Sequence, residues 1–338
     1  MDQLTWLTTK EDRTPIVSLL SNSHYWNKDR KPLLKEVLFR NDLTQDQALH
    51  LCMHTEGEVD LVTEVSPNKA SDIQRSKYAK LVKDKGRKLI TGIFNRYHSI
   101  HHDHHFRLAI NYAINREKLI KEGLNGYGRK IPALTPPWAV DFPEGLMPYE
   151  QNPSLALKHL RQSNWEESNT YKIAVFEDLH DIGNLVARQL HIILGINVKL
   201  EVIANEERLK WRHILAEKKL DPYFDLFIVD LNTLFLEGTP AFYHREVFGA
   251  DGAYRIGPEI PEFNNLYNLF ERETNSQKFI EYAKAIDRYI YNEALGLFLV
   301  SPDQLYAVNH HVNFVPYRTS LEFAETSVGI NHWSLRYK

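Results

Sequence analysis

The chain has 338 residues, of which 43% are hydrophobic and 25% charged, and its formal net charge is -3. This composition excludes a disordered or fibrous protein, and the length is enough for two or three domains with a large buried core. Because the charge is nearly balanced, the chain offers no general electrostatic attraction to nucleic acid or to anionic lipid. We therefore expect no nucleic acid partner for this segment.

Cys52 is the single cysteine, so the chain cannot form an internal disulfide. Residues 1–20 have acidic residues where a signal peptide needs basic ones, and they lack its continuous apolar core. No run of about 18 apolar residues occurs, so a membrane span is not expected. As written, the sequence predicts a cytoplasmic location; a cell-surface or periplasmic location is the alternative if the N-terminus is truncated.

Strands and helices are predicted to alternate in the first ninety residues. Apolar runs and turn residues predict strands at 16–20, 33–40 and 59–65, with a helix at 45–54. The basic segment 72–88 carries apolar residues at Ile73, Tyr78, Leu81 and Val82. This spacing predicts a helix whose charged face is solvated, rather than a patch that binds nucleic acid.

The stretch from Phe106 to Trp138 combines two helices with a rigid loop. Apolar residues keep helical spacing from Phe106 to Ile114, and Asn115 is placed to cap a second, shorter helix. Glycines at 126 and 128 and prolines between 132 and 137 then stop regular structure. We expect a preset loop that ends in Trp138 and forms one wall of a site.

The remainder of the chain predicts an α/β pattern. Asn152 precedes Pro153 as a helix cap, and a β-α-β unit follows at 171–177, 182–195 and 196–203. Further expected elements are a helix at 206–218, a buried strand at 224–231, a long loop at 232–262, a helix at 277–294 and strands at 295–300 and 305–308.

A dense histidine run is the most conspicuous group of chemically active side chains: His98, His101, His102, His104 and His105. Imidazoles at this density can bind zinc or nickel. The run lies at a loop-to-helix junction, however, so we interpret it as a solvated cap and predict no metal site. No hydrolase, phosphate-loop or metalloprotease motif occurs, which predicts a protein that is not an enzyme and needs no cofactor.

Several segments in order resemble solute-binding protein family 5, the peptide- and nickel-binding components of bacterial ABC transporters. They include "FRLAINYAINREKLIKEGLNGYG", "TPPW", "NPSLALKHLRQSNW", "LGINVKLEVI" and "FDLFIVDL". The most specific match is to the family's A-x-x-x-A-[IL]-[DN]-R core, by Ala109, Ala113, Ile114, Asn115 and Arg116. The resemblance extends along nearly the whole chain. It implies an α/β fold of the type II periplasmic-binding kind, in which two α/β lobes with mixed sheets close on a ligand.

The same resemblance implies how the chain divides. Residues 1–95 would form a partial first lobe with a crossing strand, residues 96–270 a second lobe with ligand-facing loops, and residues 271–338 a helix and strands that return to the first lobe. The first lobe would be incomplete, because members of the family usually carry a longer N-terminal portion.

The implied function is non-catalytic binding of a small, oligopeptide-like solute as the substrate-binding component of an ABC transporter, with the permease as partner if the protein is exported. Tyr97 and Trp138 would stack on the ligand, Asn95 and Thr135 would form hydrogen bonds to it, and Phe235 would line the cleft. The family's peptide binders carry a Gly-Trp pair and an amine-binding Asp after the "FD" strand, whereas this chain reads "VDLNTLFLEGTPAF". Asp230 or Glu237 would have to meet a cationic group instead.

An alternative interpretation assigns the same fold to a regulatory protein and not to a transport component. Cytoplasmic transcriptional regulators of the SgrR type resemble a DNA-binding head fused to the same solute-binding body, without a signal peptide. The altered amine anchor and the absence of an export signal both fit a ligand-sensing domain of such a regulator.

Overall fold

The computed structural model describes residues 4–7, 16–27, 29, 31–166, 168–218, 222–232, 241–316 and 323–336, the first of these by backbone only. The chain divides into two compact units, Met1–Lys85 with Gln304–Lys338, and Gly86–Asp303. The division predicted at residues 95 and 270 stays a prediction; the helix after residue 270 and the strand that follows it belong to the second of these units.

The elements are numbered here in chain order. The strands are β1 (Leu4–Leu7), β2 (Ile16–Leu20), β3 (Glu36–Arg40), β4 (Leu61–Val62), β5 (Ala79–Asp84), β6 (Lys88–Phe94), β7 (Gly128–Lys130), β8 (Thr170–Phe176), β9 (Asn197–Ile203), β10 (Leu226–Asn232), β11 (Gly296–Pro302), β12 (Gln304–Asn309), β13 (Val312–Asn313) and β14 (Ser327–Val328). The helices are α1 (Gln45–His54), α2 (Ala70–Gln74), α3 (His104–Ala113), α4 (Arg116–Lys118), α5 (Pro153–Gln162), α6 (His180–Leu194), α7 (Arg208–Glu217), α8 (Phe242–Phe248), α9 (Pro261–Arg272) and α10 (Ser276–Asn292).

The first unit contains small antiparallel sheets and the helix α1. The strands pair in the orders β1-β2-β3, β4-β12-β5 and β13-β14. Helix α1 begins with a reciprocal capping box, in which the Thr44 and Gln47 side chains each accept a hydrogen bond from the other residue's backbone N–H. Its buried residues are Leu49 and Cys52, and the Cys52 thiol donates to the Ala307 carbonyl of β12 at 3.7 Å. Helix α1 is therefore packed against the sheet formed by β4, β12 and β5.

The helix predicted across 72–88 is wrong. Helix α2 ends at Gln74, and residues 79–84 form β5, which pairs antiparallel with β12 from Ala79↔Asn309 to Asp84↔Gln304. Strand β6 then begins at Lys88. The apolar spacing fits a helix locally, but pairing with a strand more than two hundred residues away satisfies the backbone here.

The second unit is built on one six-stranded mixed sheet in the order β7-β11-β6-β10-β8-β9. Strands β8, β9 and β10 are parallel, whereas β6 is antiparallel to both β10 and β11. Alternate residues of β10 enter different cores: Phe227 and Val229 lie in one cluster, and Leu226 and Ile228 in the other. The sheet is therefore covered on both faces, as the apolar sequence of β10 predicts.

The predicted β-α-β unit is confirmed as β8, α6 and β9. Gly195 ends α6 in the left-handed conformation, at φ 69°, where glycine is favoured. Asn115 and Asn152 cap α4 and α5, as the sequence predicts, through side-chain oxygens that accept from the backbone of Lys118 and Leu155.

The region 232–262 is not the continuous loop that was predicted. Residues 242–248 form α8, and α9 begins at Pro261. Phe248 and Phe263 from these helices lie in the core on one face of the large sheet, with ring centroids 5.8 Å apart. Helix α8 has only seven residues, too few for a clear apolar period, so burial decides its structure.

Candidate functional site

One edge of the six-stranded sheet collects the ends of five strands, and we call it the carboxyl edge. The parallel strands β8, β9 and β10 all end there. Since β6 is antiparallel to β10, with Lys88 opposite Asn232, it begins at this edge; β11, antiparallel to β6, ends there. Ligands of open α/β sheets bind outside the carboxyl ends of the strands. This edge is therefore the candidate ligand-binding site of the second unit.

Four charged side chains form a network at the carboxyl edge. Asp230 of β10 accepts a hydrogen bond from Arg208 Nη1 at 2.7 Å and pairs with Lys88 Nζ at 3.1 Å. Arg208 also donates to Asp178, which follows β8. The guanidinium carbon of Arg208 lies 4.2 Å from the centroid of the Phe176 ring, a cation–π contact. The network and its cation–π contact thus join strands β6, β8 and β10 to helix α7.

The electrostatics of the network favour an ionised Asp230. Burial by itself would raise the pKa of this carboxyl group, but the charges of Lys88 and Arg208 outweigh it and lower the pKa. Asp230 is only 7% exposed, whereas Lys88 is 42% and Arg208 32% exposed. The carboxylate therefore lies beneath two cations that face outward.

A second ion pair lies farther along the same edge, between Arg129 of β7 and Asp303, directly after β11. The Arg129 guanidinium lies over the Trp138 ring, 5.1 Å from its centroid. At a strand spacing of about 4.8 Å, the three spacings from β7 to β10 put this pair roughly 14 Å from Asp230. Trp138 is half-buried, so part of its ring remains available at the surface.

The predicted site residues do not come together. Asp230 and Trp138 lie at the carboxyl edge, but Asn95 follows the far end of β6, and Tyr97 lies two residues beyond it. The seven residues of β6 separate these two groups by about 20 Å. The Asn95 side chain is buried and donates to the carbonyls of Pro222 at 3.0 Å and Phe224 at 2.9 Å. The Asn95 side chain therefore links the segment after β6 to residues 222–224 of the same unit.

The other predicted ligand contacts are Tyr97, Thr135, Phe235 and Glu237. Thr135 is buried and Tyr97 is exposed. Phe235 and Glu237 lie outside the described residues. The ligand contacts predicted for all seven residues, Asn95, Tyr97, Thr135, Trp138, Asp230, Phe235 and Glu237, stay predictions.

Sequence reasoning missed the basic residues of this edge, Lys88, Arg129 and Arg208. Lys88 was placed in a helix, and Arg208 was part of a helix without a stated role. Their relation to Asp230 and Asp303 follows from strand register, which the local sequence does not carry. The sequence did contain one indication for Arg208, because this residue lies near the start of the helix predicted directly after the β-α-β unit.

Two histidines of the run, His98 and His101, belong to an internal network at the opposite edge of the sheet. His98 Nδ1 lies 2.8 Å from an oxygen of Asp225, whose other oxygen accepts from the Lys172 backbone at 2.7 Å. His101 Nδ1 donates to the Asn95 carbonyl at 2.6 Å, so its Nε2 accepts from the Tyr171 hydroxyl at 3.1 Å.

His98, His101 and Asp225 bring potential metal-ligand atoms within 4.8 Å of one another. Hydrogen bonds already engage those atoms, however, and burial lowers the pKa of His101 to about 3. The interpretation as a solvated cap is wrong for His101, which is fully buried. The N-cap of α3 is Asp103, whose carboxylate accepts from the backbone of His105 and Phe106.

Solved structures with a similar fold include several transport proteins. The ABC transporter substrate-binding protein CtaP from Listeria monocytogenes has a TM-score of 0.81 at 16% identity, over 96% of this chain and 66% of that one. A nickel ABC transporter protein from Bacillus halodurans has a TM-score of 0.74 at 17% identity, over 97% and 68%. The ABC transporter-associated periplasmic binding protein DppA from Helicobacter pylori, in complex with the peptide STSA, has a TM-score of 0.72 at 19% identity, over 96% and 62%.

At these identities the similarity shows the fold, and it confirms the predicted periplasmic-binding-protein-like α/β class. The chain spans about two thirds of the length of these structures. No curated protein matches it. Within the described ranges, no helix has the length and apolar character that crossing a bilayer requires.

Residues 9–245, more than half of the sequence, match the model of one protein family. That family is described as "Bacterial extracellular solute-binding proteins, family 5 Middle". The predicted resemblance is thereby confirmed: this chain belongs to family 5 of the bacterial extracellular solute-binding proteins.

Proposed function

We propose that the chain binds a small, oligopeptide-like solute without transforming it, as part of the substrate-binding component of an ABC transporter. The observation that carries the proposal is the carboxyl edge, where Lys88, Arg208 and Asp230 form a charged network outside the ends of the strands. The proteins of the family are solute-binding proteins, and they are described as extracellular. We accordingly place the function outside the cytoplasm and expect a permease as partner.

The charge arrangement suggests how such a ligand would be oriented. Because Asp230 is covered by Lys88 and Arg208, it is not presented to a ligand amine. The outward-facing ammonium of Lys88 is suited to a ligand carboxylate, with which it would form a charge-assisted hydrogen bond. Asp178, 40% exposed beside Arg208, is the carboxylate that could meet a ligand amine.

Trp138 adds an aromatic surface at the same edge. Arg129 lies over its ring and leaves it half-buried, so the ring is held in place before a ligand arrives. A ring that is already fixed loses little conformational entropy on binding. It would stack on an apolar or planar part of the solute, beside the Arg129–Asp303 pair that lies roughly 14 Å from Asp230.

The test is equilibrium binding by calorimetry, with pools of di- to pentapeptides followed by the single peptides of any pool that binds. Trp138→Ala should weaken binding about tenfold, equivalent to about 1.4 kcal/mol, and should leave thermal unfolding nearly unchanged. Trp26→Ala is the matched control, since Trp26 is exposed and lies outside the second unit. Failure of every peptide pool to bind would refute the oligopeptide class, and an equal loss with both variants would remove Trp138 from the site.

A further inference from the structure

Two histidines of the first unit lie on one exposed face of α1, and neither belongs to the candidate site of the second unit. His50 and His54 are one helical turn apart, both are exposed, and their ring centroids are 4.7 Å from each other. Within the described part of the chain, neither imidazole makes a hydrogen bond or an ion pair. Their nitrogen atoms are thus open to a ligand from solvent.

The helix that carries the pair is well fixed. The Thr44–Gln47 capping box closes its first turn, and the buried residues Leu49 and Cys52 hold its inner face. The Thr55 hydroxyl donates to the Leu51 carbonyl at 2.7 Å in its last turn. The backbone positions of His50 and His54 are therefore set before any ligand binds, which lowers the entropy cost of bringing two ligand atoms together.

Two imidazoles at positions i and i+4 on one helix face can chelate a single metal ion, since adjacent turns put their nitrogen atoms within reach of the same ion. Imidazole suits zinc, copper and nickel, and affinity for a nitrogen site rises to a maximum at Cu²⁺. Asp46 lies one further turn toward the N-terminus on the same face and adds negative charge beside a bound cation.

We propose that His50 and His54 form a surface site that chelates a divalent transition-metal ion, Cu²⁺ more tightly than Ni²⁺ or Zn²⁺. Two protein ligands leave the other coordination positions to water. The site lies in the first unit and does not depend on the solute-binding function proposed for the second. Among the described residues, the His98–His101 network also concentrates imidazoles, but its nitrogen atoms are engaged in hydrogen bonds, and His101 is buried.

The experiment titrates the full chain, free of any purification tag, with Cu²⁺ in competition with a chelator of known affinity. His50→Ala and His54→Ala should each weaken the tightest site at least tenfold, because removing even an outer-shell partner of a metal ligand costs ten- to a hundredfold. His24→Ala removes an exposed histidine elsewhere in the first unit and is the control, with an affinity equal to that of the unaltered chain.

A spectroscopic measurement distinguishes chelation from binding to one imidazole. The electron paramagnetic resonance spectrum of the one-to-one Cu²⁺ complex should show hyperfine coupling to two imidazole nitrogens, and to only one in either variant. Circular dichroism checks that both variants keep their helix content. The proposal is overturned if the two variants bind Cu²⁺ as tightly as the unaltered chain, or if the unaltered chain shows a single coupled nitrogen.

Discussion

The buried imidazole of His101 should make the stability of the protein fall as the solution is acidified. Its ring is fully buried, with Nδ1 bonded to the Asn95 carbonyl and Nε2 to the Tyr171 hydroxyl. Burial lowers its pKa to about 3, from the value near 6.5 of an imidazole in an unfolded chain. The folded protein therefore keeps this ring neutral at a pH where the unfolded chain would protonate it.

The sign and size of the effect follow from proton linkage. A group whose pKa is lowered on folding contributes stability that is fully present above its unfolded pKa and is lost as the pH falls towards the folded value. Between pH 7 and pH 5 the unfolded imidazole takes up most of a proton while His101 takes up almost none. The free energy of unfolding should fall by about 2 kcal/mol over this interval because of His101 alone.

The assay is urea unfolding followed by tryptophan fluorescence at pH 7, 6 and 5. His101→Asn removes the titratable ring while its amide can still donate to the Asn95 carbonyl. This variant should be less stable than the unaltered protein at pH 7, because it leaves a cavity and loses the bond to Tyr171. Its stability should nevertheless decline less steeply with acidification, by about 2 kcal/mol between pH 7 and pH 5. His24→Asn, which removes an exposed imidazole, is the control.

The decisive quantity is the difference in pH dependence between variants, and not the stability at any single pH. If His101→Asn and the unaltered protein lose the same free energy of unfolding from pH 7 to pH 5, then His101 is not a buried neutral imidazole. The assignment of the 98–101 segment as an internal network would then be wrong.

Three other predictions concern stability. Asp230→Asn removes the anion between Lys88 and Arg208 and should lower the free energy of unfolding by about 2 kcal/mol in urea denaturation, so an unchanged value would mean that the network contributes nothing. Asn115→Ala removes the cap of α4 and should cost about 1 kcal/mol in the same assay, while Asn115→Ser should stay close to the unaltered protein; equal losses would contradict a capping role. Gly86→Ala would put a Cβ against the carbonyl oxygen of Pro302, closer than real contacts allow, and should lower the melting temperature in calorimetry by several degrees. A melting temperature equal to that of the unaltered protein would show that Gly86 tolerates a side chain.

Helix boundaries and the β-α-β unit could be predicted because their signals are local. Asn115 and Asn152 accept hydrogen bonds from backbone N–H groups three residues ahead, and Gly195 takes the left-handed conformation that ends α6. Each of these interactions joins residues within one or two turns of the chain, so the sequence alone contains all its participants. The family could be identified for a related reason, since its motif at 109–116 is contiguous.

The contents of the candidate site could be predicted only in part. Asp230 was identified from its place after the "FD" strand, and Trp138 from the proline-rich loop before it. That both lie at the carboxyl edge, and that Asn95 and Tyr97 lie about 20 Å away, depends on the direction in which β6 runs beside β10. Strand direction is set by pairing between distant segments, and no local pattern encodes it.

By itself, the sequence determined the α/β class, the positions of most helices and the family, because turns, caps and apolar periods act over a few residues. Only the tertiary structure decided that residues 79–84 are a strand, that Lys88 and Arg208 cover Asp230, and that His101 is buried and neutral. The physical reason is that register, burial and charge pairing are properties of segments far apart in the chain, and they exist only once those segments are packed together.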